Sequence, residues 1–103
     1  MQVDLNADMG ESFGPWKMGD DAALLETVTS ANIACGAHAG DPDVMATTMG
    51  IALDKGVGVG SHPGLPDIQG FGRRRIQMPL ESLQNSIRCQ VGASLGMAAA
   101  LGA

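Results

Sequence analysis

The sequence predicts an α/β fold built on a parallel sheet, and two observations carry that prediction. Short apolar segments typical of strands alternate with segments of helical spacing, in the order β, short α, β, α, β, long loop, α. Such alternation is typical of parallel strands joined by right-handed crossovers. With 103 residues, of which 45% are hydrophobic and only 17% charged, the chain is too apolar for disorder and fits a single domain over residues 1–103.

The first half of the chain predicts two strands and a short helix. Residues 2–5 form the first strand candidate, and a polar loop over residues 6–11 follows it. Asp20 or Asp21 can cap a short helix that runs to about Thr27. The apolar run that begins at Ser30 is the second strand, and it leads into a loop that holds His38.

The second helix has clear signals at both ends. Asp41 is the predicted N-cap, with Pro42 at the first helical position, where the missing N–H costs nothing. The helix should end near Lys55, because Gly56 is a natural C-cap. Its predicted apolar face consists of Val44, Met45, Thr48, Ile51 and Ala52.

The remaining elements are a third strand, a long loop and a last helix. Residues 57–60 form the strand candidate, and the His62-Pro63-Gly64 segment that follows terminates it. Residues 63–78 are rich in turn-forming Pro and Gly, which predicts an ordered functional loop. Pro79 opens the last helix, whose predicted apolar stripe consists of Leu80, Leu83, Ile87, Val91, Leu95 and Ala98.

Charge and cysteine content exclude several classes of protein. The net charge is −5 and the only basic cluster is residues 73–75, so we expect no nucleic-acid partner. No segment approaches the ~20 apolar residues of a membrane span, and Cys35 and Cys89 are too few for a disulfide framework. We therefore expect a cytoplasmic protein with no membrane partner. The three arginines at residues 73–75 either bind a carboxylate or phosphate group or belong to a solvent-exposed loop with no ligand.

Both histidines of the chain follow predicted strands. In parallel α/β folds the ligand site lies at the carboxyl ends of the strands, so His38, His62 and the early acidic residue Asp8 should converge. These three are a two-His, one-carboxylate set for a divalent metal. A metal-free version is equally compatible, with a histidine as general acid or base, Asp8 orienting it, and backbone N–H groups stabilising an oxyanion. The residues alone leave both open.

Other polar residues in these loops have two interpretations each. Asp4, Asp8 and Glu11 crowd into eight residues, which fits a cation site or a polar loop with Asx-turns. Cys35 lies near His38 and is either a nucleophile or a small residue packed at a strand end.

Four stretches resemble the LamB/YcsF family in sequence and in order. They are residues 4–14 (DLNADMGESFG), 30–42 (SANIACGAHAGDP), 62–67 (HPGLPD) and 70–74 (GFGRR). The resemblance runs through nearly the whole chain. It implies a parallel (β/α) barrel of the glycoside hydrolase/deacetylase type, present here as an incomplete N-terminal portion.

The resemblance also implies an activity, that of the A subunit of a 5-oxoprolinase. This enzyme opens the lactam 5-oxoproline to L-glutamate with hydrolysis of ATP, and partner subunits B and C are thought to phosphorylate the lactam. ATP would enter through the complex, and a divalent metal is a further cofactor expectation. The catalytic residues, which are also the candidate metal ligands, would be Asp8, His38 and His62; the substrate-binding residues would be Asn6, Glu11, Asn32, Arg73 and Arg74.

Two features depart from the family pattern. Ala37 stands where the family usually has a bulky aromatic, and a later Lys-Pro-His motif of the family has no counterpart here. A complete barrel needs ~250 residues. We therefore expect a fragment that is inactive alone, with a metal-dependent deacetylase-like hydrolase and a non-catalytic interaction fragment as the alternatives.

Overall fold

A computed structural model describes all 103 residues, and it confirms the α/β class with a parallel sheet. Both pairs of neighbouring strands are parallel, and the strand order in the sheet is β1-β2-β3. None of the helices combines the length and the hydropathy that a bilayer crossing requires. The elements in chain order are β1 Asn6–Met9, α1 Asp21–Leu24, β2 Ser30–Ala34, α2 Pro42–Asp54, β3 Gly58–His62 and α3 Leu80–Ala100.

The first strand lies further along the chain than predicted. It spans Asn6–Met9, whereas residues 2–5 precede it. Consequently Asn6 and Asp8 belong to the strand itself and do not follow its end. The reason is a two-residue alternation: Asn6 and Asp8 are exposed on one face, while Met9 is buried on the other. A short strand with one polar face has the composition of a loop.

The first helix is shorter than predicted, since it ends at Leu24 and not near Thr27. Asp20 is the N-cap and its carboxylate accepts a hydrogen bond from the N–H of Ala23. Beyond Leu24 the backbone tightens into turns, in which the backbone N–H of Glu26 donates to the carbonyl of Ala23. Leu25 is nevertheless 2% exposed and anchors this segment in the core.

The second helix confirms both predicted ends. The Asp41 carboxylate accepts from the N–H of Val44 at 2.8 Å, and Pro42 is the first helical residue. At the other end Lys55 is the C-cap, and Gly56 follows it with φ +70°. The buried face is shifted slightly from the predicted one, because Val44 and Ile51 are only half-buried. The buried residues are Met45, Thr48, Met49 and Ala52.

The third strand runs one to two residues later than predicted, and the last helix presents a different face to the sheet. The predicted apolar stripe is confirmed only in part: Leu83, Val91 and Ala98 are half-buried. The other half of the stripe is wrong, since Leu80 and Leu95 are 70% and 65% exposed. Two polar anchors fix the rotation of α3 instead. The Gln90 amide accepts from the N–H of Gly64 and donates to its carbonyl, both at 2.9 Å, and Ser94 hydrogen-bonds to Ser61.

The two faces of the sheet differ in chemistry. The face that carries Met9 and Ile33 packs against the helices, and its buried cluster consists of Met9, Leu25, Ala31, Ile33, Met45, Met49, Ala52 and Val57. The opposite face carries polar side chains, among them Asn6, Asp8 and Asn32. Strands that neighbour each other in chain order, with helices on one face of the sheet, have the connectivity of part of a (β/α) barrel. The fold is therefore consistent with a partial barrel, and the glycoside hydrolase/deacetylase type stays a prediction.

Candidate functional site

Three titratable side chains meet at the carboxyl edge of the sheet. His62 is the last residue of β3, His38 lies in the loop after β2, and Glu11 lies two residues after β1. Ligand-type atoms of Glu11, His38 and His62 all lie within 4.8 Å of one another. The expected convergence of the two histidines is thus present, but Glu11 completes this compact group in place of Asp8. We call these three residues the Glu11–His38–His62 cluster.

A close crossing of two loops brings Glu11 to His38. Gly40, with φ +77°, passes so near Gly10 that a Cβ at position 40 would lie 2.5 Å from the Gly10 carbonyl oxygen. Glu11 directly follows one of these glycines, and His38 precedes the other by two residues. Only glycine tolerates both the left-handed conformation and this approach.

The His38 side chain is enclosed almost completely. It is 4% exposed, and its ring centroid lies 4.7 Å from that of His62 and 5.6 Å from that of Phe71. Gly64 and Gly72 complete the enclosure, since a Cβ at either position would overlap the His38 side chain. The glycines of the long loop therefore leave the room that this imidazole occupies.

The cluster contains buried polar atoms that have no hydrogen-bond partner. These are both ring nitrogens of His38 and Nδ1 of His62. Burial, followed by the nearby His62, holds the pKa of His38 below its ordinary value of 6.5. The neutral imidazole is thereby favoured, and it offers a nitrogen lone pair to the cavity.

The pKa of Glu11 is shifted in the opposite direction to that of His38. Burial raises the pKa of the Glu11 carboxyl above its ordinary value of 4.5, against an opposing effect of His62. The negative charge of Asp8 adds to the rise. Glu11 therefore keeps a proton to a higher pH than an ordinary glutamate, as a general acid requires.

A hydrogen-bonded row of polar side chains on the sheet holds Asp8 beside His62. Asp8 Oδ1 lies 3.8 Å from His62 Nδ1, and the Asn32 amide donates to Asp8 Oδ1 at 3.1 Å and to Asn6 Oδ1 at 2.9 Å. Asn6 in turn donates to the Ser30 hydroxyl at 2.9 Å. The amides of Asn6 and Asn32 thus orient Asp8, and their contact with substrate stays a prediction.

Two cavities adjoin the cluster and share Glu11, His38 and Phe71. The first is polar, about 250 Å³ in volume, and includes Asp8, His62 and Arg73 in its wall. The second is largely apolar and about 470 Å³, and its apolar wall consists of Phe13, Trp16, Met18, Ala39, Ile68 and Phe71. All three aromatic residues of the chain therefore lie in the wall of this cavity. Met18 and Ile68 were not predicted, because no sequence period marks residues in irregular loops.

The two arginines predicted to bind substrate lie in different surroundings. Arg73 lines the polar cavity, with its guanidinium carbon 5.2 Å from the Phe71 ring centroid. Arg74 binds the Asp67 carboxylate through Nε, at 3.0 Å from each oxygen, and also through Nη2. Contact of either with substrate stays a prediction, but the structure gives Arg74 a contact within the loop. Cys35 is half-buried at the end of β2, outside the cluster.

Asp67 organises the long loop, which is ordered as predicted. Its side chain is buried against Arg74 and accepts from the N–H of Gly70, while its own N–H donates to the carbonyl of Ala37. The Asp67 carbonyl accepts from Gly72, one of the glycines that enclose His38. The Asp67–Arg74 pair therefore supports the wall of the site.

Acid should weaken this support. The hydrogen bond from Arg74 lowers the pKa of Asp67 from 3.8 to about 2. A lowered folded-state pKa stabilises the protein above pH 3.8, and this contribution is lost as the pH falls towards 2. We expect the melting temperature of the wild-type protein to fall between pH 4 and pH 2 by more than that of Asp67→Asn.

The matched control for this measurement is Asp54→Asn at the exposed end of α2, which leaves the Asp67–Arg74 pair intact. Asp4 and Asp41 also have lowered pKa values, from hydrogen bonds with Thr29 and Gly14 respectively. Both residues are present in the wild type and in the two variants, so their contribution to the acid profile is the same in all three proteins. The difference between variants is therefore the readout. Parallel acid profiles for Asp67→Asn and the wild type would contradict the assignment.

Comparisons with known proteins agree with the motifs. The sequence model of the LamB/YcsF family matches residues 3–103. The chain is 69% identical over 101 residues to the 5-oxoprolinase A subunit of Ruegeria pomeroyi and 60% identical over 100 residues to that of Methylococcus capsulatus. These alignments cover 98% and 97% of the chain, but only 40% and 38% of the relatives.

A solved structure shows the same fold. The lactam utilization protein of Thermus thermophilus superimposes with a TM-score of 0.95 at 43% sequence identity, covering 99% of this chain and 41% of that one. The chain thus spans about two fifths of the length of the proteins it is similar to.

Proposed function

The chain belongs to the LamB/YcsF family, and from this premise we propose that it supplies catalytic residues to the A subunit of an ATP-dependent 5-oxoprolinase. The observation that carries the proposal is the Glu11–His38–His62 cluster beside a polar cavity. Relatives that bear the name of this enzyme support a role in 5-oxoproline metabolism. Because those relatives are named as one subunit of several, they support a multi-subunit complex, and we propose 5-oxoprolinase subunits B and C as the partners.

The polar cavity suits a small, anionic lactam. 5-Oxoproline is a five-membered ring with one carboxylate, and a cavity of about 250 Å³ accommodates a molecule of that size. Arg73 in the wall can bind the substrate carboxylate by charge-assisted hydrogen bonds. The reacting carbonyl would then lie at the side of the cavity that Glu11 and His62 line.

Opening the lactam requires proton transfer in two directions. The oxygen of a water molecule bonds to the ring carbonyl carbon, the carbon–nitrogen bond breaks, and the nitrogen gains a proton. We assign His62, beside Asp8, to accept the proton of the water, and Glu11 to donate to the departing nitrogen. Two groups with differently tuned environments can divide acid and base roles in this way. His38 packs against His62 and fixes its position.

ATP enters the proposal through the partner proteins. Phosphorylation of the lactam oxygen by subunits B and C would activate the ring carbon. Water attack at the Glu11–His38–His62 cluster would then break the carbon–nitrogen bond as the nitrogen gains a proton, which leaves the acyl phosphate of glutamate, and a second water would hydrolyse it to glutamate and phosphate. The glycine-rich segment at residues 56–60 lacks the Lys-Ser/Thr pair of a phosphate-binding loop. The missing Lys-Ser/Thr pair supports an ATP site outside the segment at residues 56–60.

The test is glutamate release. The protein that carries this sequence is combined with subunits B and C, 5-oxoproline and ATP, and glutamate is measured with a coupled dehydrogenase. We expect glutamate only when all components are present, and none from the 103 residues alone. Failure of the complete mixture would overturn the proposal and favour a non-catalytic interaction role. Glutamate release from the 103 residues without partners would contradict the expectation that they are insufficient.

A second candidate, a metal-dependent deacetylase-like hydrolase, is favoured by the paired histidines and their unpartnered nitrogens. It predicts release of acetate from an N-acetylated sugar, without ATP or partner proteins. The same preparation therefore separates the two candidates when both substrates are offered.

A further inference from the structure

We propose that Glu11, His38 and His62 bind a divalent transition metal ion, with Zn²⁺ the best match to the donor set. The proposal concerns binding and is tested without turnover; in the metal-bound protein Glu11 and His62 are ligands, so the proton transfers assigned to them above belong to the metal-free form. It also differs from the set that sequence reasoning favoured, since Glu11 is a ligand and Asp8 is not.

The donor atoms are of the right type and close to the required spacing. Two imidazole nitrogens and one carboxylate oxygen form a common catalytic zinc set, which leaves a fourth position open. Donors around a tetrahedral Zn²⁺ at about 2.0–2.1 Å lie roughly 3.3 Å apart. The ligand-type atoms of the cluster already lie within 4.8 Å of one another, so small side-chain rotations close the site.

The unpartnered nitrogens of the cluster are an independent observation that indicates a ligand. His38 is only 4% exposed, yet neither of its ring nitrogens has a hydrogen-bond partner. A buried polar atom without a partner is costly, and such atoms in native proteins usually have one. A metal ion at the cluster would satisfy one of the two unpartnered ring nitrogens of His38.

Asp8 has a supporting position next to this site. Its Oδ1 lies 3.8 Å from Nδ1 of His62, so a His62 that binds metal through Nε2 would direct its Nδ1–H towards Asp8. Carboxylates placed in this way fix the orientation of metal-bound histidines. Arg73 also lines the cavity, but the two carboxylates of Asp8 and Glu11 exceed its single positive charge.

The test is a titration of the full chain with Zn²⁺, followed by calorimetry and by metal analysis after dialysis. All proteins carry Cys89→Ser, because this exposed thiol can bind zinc independently. We expect one Zn²⁺ per chain and a loss of affinity of at least about 100-fold in Glu11→Gln and in His62→Ala, whereas Asp8→Asn should lose about 10–100-fold. The matched control is Glu81→Gln in the first turn of α3, which should equal the parent protein.

Two results would overturn the proposal. One is the absence of stoichiometric Zn²⁺ from the parent protein after dialysis. The other is a Glu11→Gln variant that binds as tightly as the parent. Circular dichroism identifies any variant that fails to fold, and the conservative Glu11→Gln then decides, because it preserves the size of the side chain. Metal content is measured without turnover, so this result stands apart from the glutamate assay.

Discussion

Replacing His62 with alanine is expected to lower kcat/KM for 5-oxoproline by at least about 100-fold in the complete enzyme. The side chain is the last of β3, lies within 4.8 Å of Glu11 and His38, and has Asp8 at 3.8 Å. In the proposed function, its loss removes the group assigned to accept the proton of the attacking water. Steady-state kinetics of glutamate release, with saturating ATP and both partner proteins, measure the effect.

Stability should change little in the same variant. The His62 side chain is 29% exposed and its Nδ1 has no hydrogen-bond partner, so no buried network is lost. Thermal unfolding should therefore give a melting temperature near that of the wild type. His62→Asn is a useful companion, since it keeps a polar side chain but neither the base nor the imidazole. Activity close to that of the wild type in both variants would remove His62 from the reaction.

Local sequence signals specified the order of the elements and the ends of α2. Asp41, Pro42 and Gly56 act within a few residues of their own positions, so their effect is visible without a tertiary structure. The buried face of α3 was not predictable in this way. Gln90 and Ser94 bind Gly64 and Ser61, which are 26 and 33 positions away, and these polar contacts outweigh the apolar stripe.

The candidate site was also predictable only in part, and the part that was missed depends on contacts between distant segments. The meeting of His38 and His62 follows from topology, because parallel strands end at one edge of the sheet. The choice between Asp8 and Glu11 does not follow, since it depends on where β1 begins and on how the next loop crosses another. Likewise, the sequence presents Arg73 and Arg74 as equivalent, and only the folded loop pairs one of them with Asp67.

The crossing of Gly10 and Gly40 brings the loops of Glu11 and His38 together, and Gly40→Ala should destabilise the fold by about 4 kcal/mol. Two costs add. A left-handed alanine costs about 1–2 kcal/mol, and the new Cβ would lie 2.5 Å from the Gly10 carbonyl oxygen. That oxygen belongs to the backbone at the end of β1, so it cannot rotate away as a side chain would.

Gly56→Ala separates the two costs, because position 56 has φ +70° and no atom within 4 Å of an added Cβ. It should lose only about 1–2 kcal/mol, the cost of the conformation. Chemical denaturation of both variants gives the difference, which measures the close approach alone. If Gly40→Ala proved no less stable than Gly56→Ala, the crossing would not constrain the fold. A larger loss for Gly40→Ala would show that the close approach of the Gly10 and Gly40 backbones, which brings the loops of Glu11 and His38 together, constrains the fold.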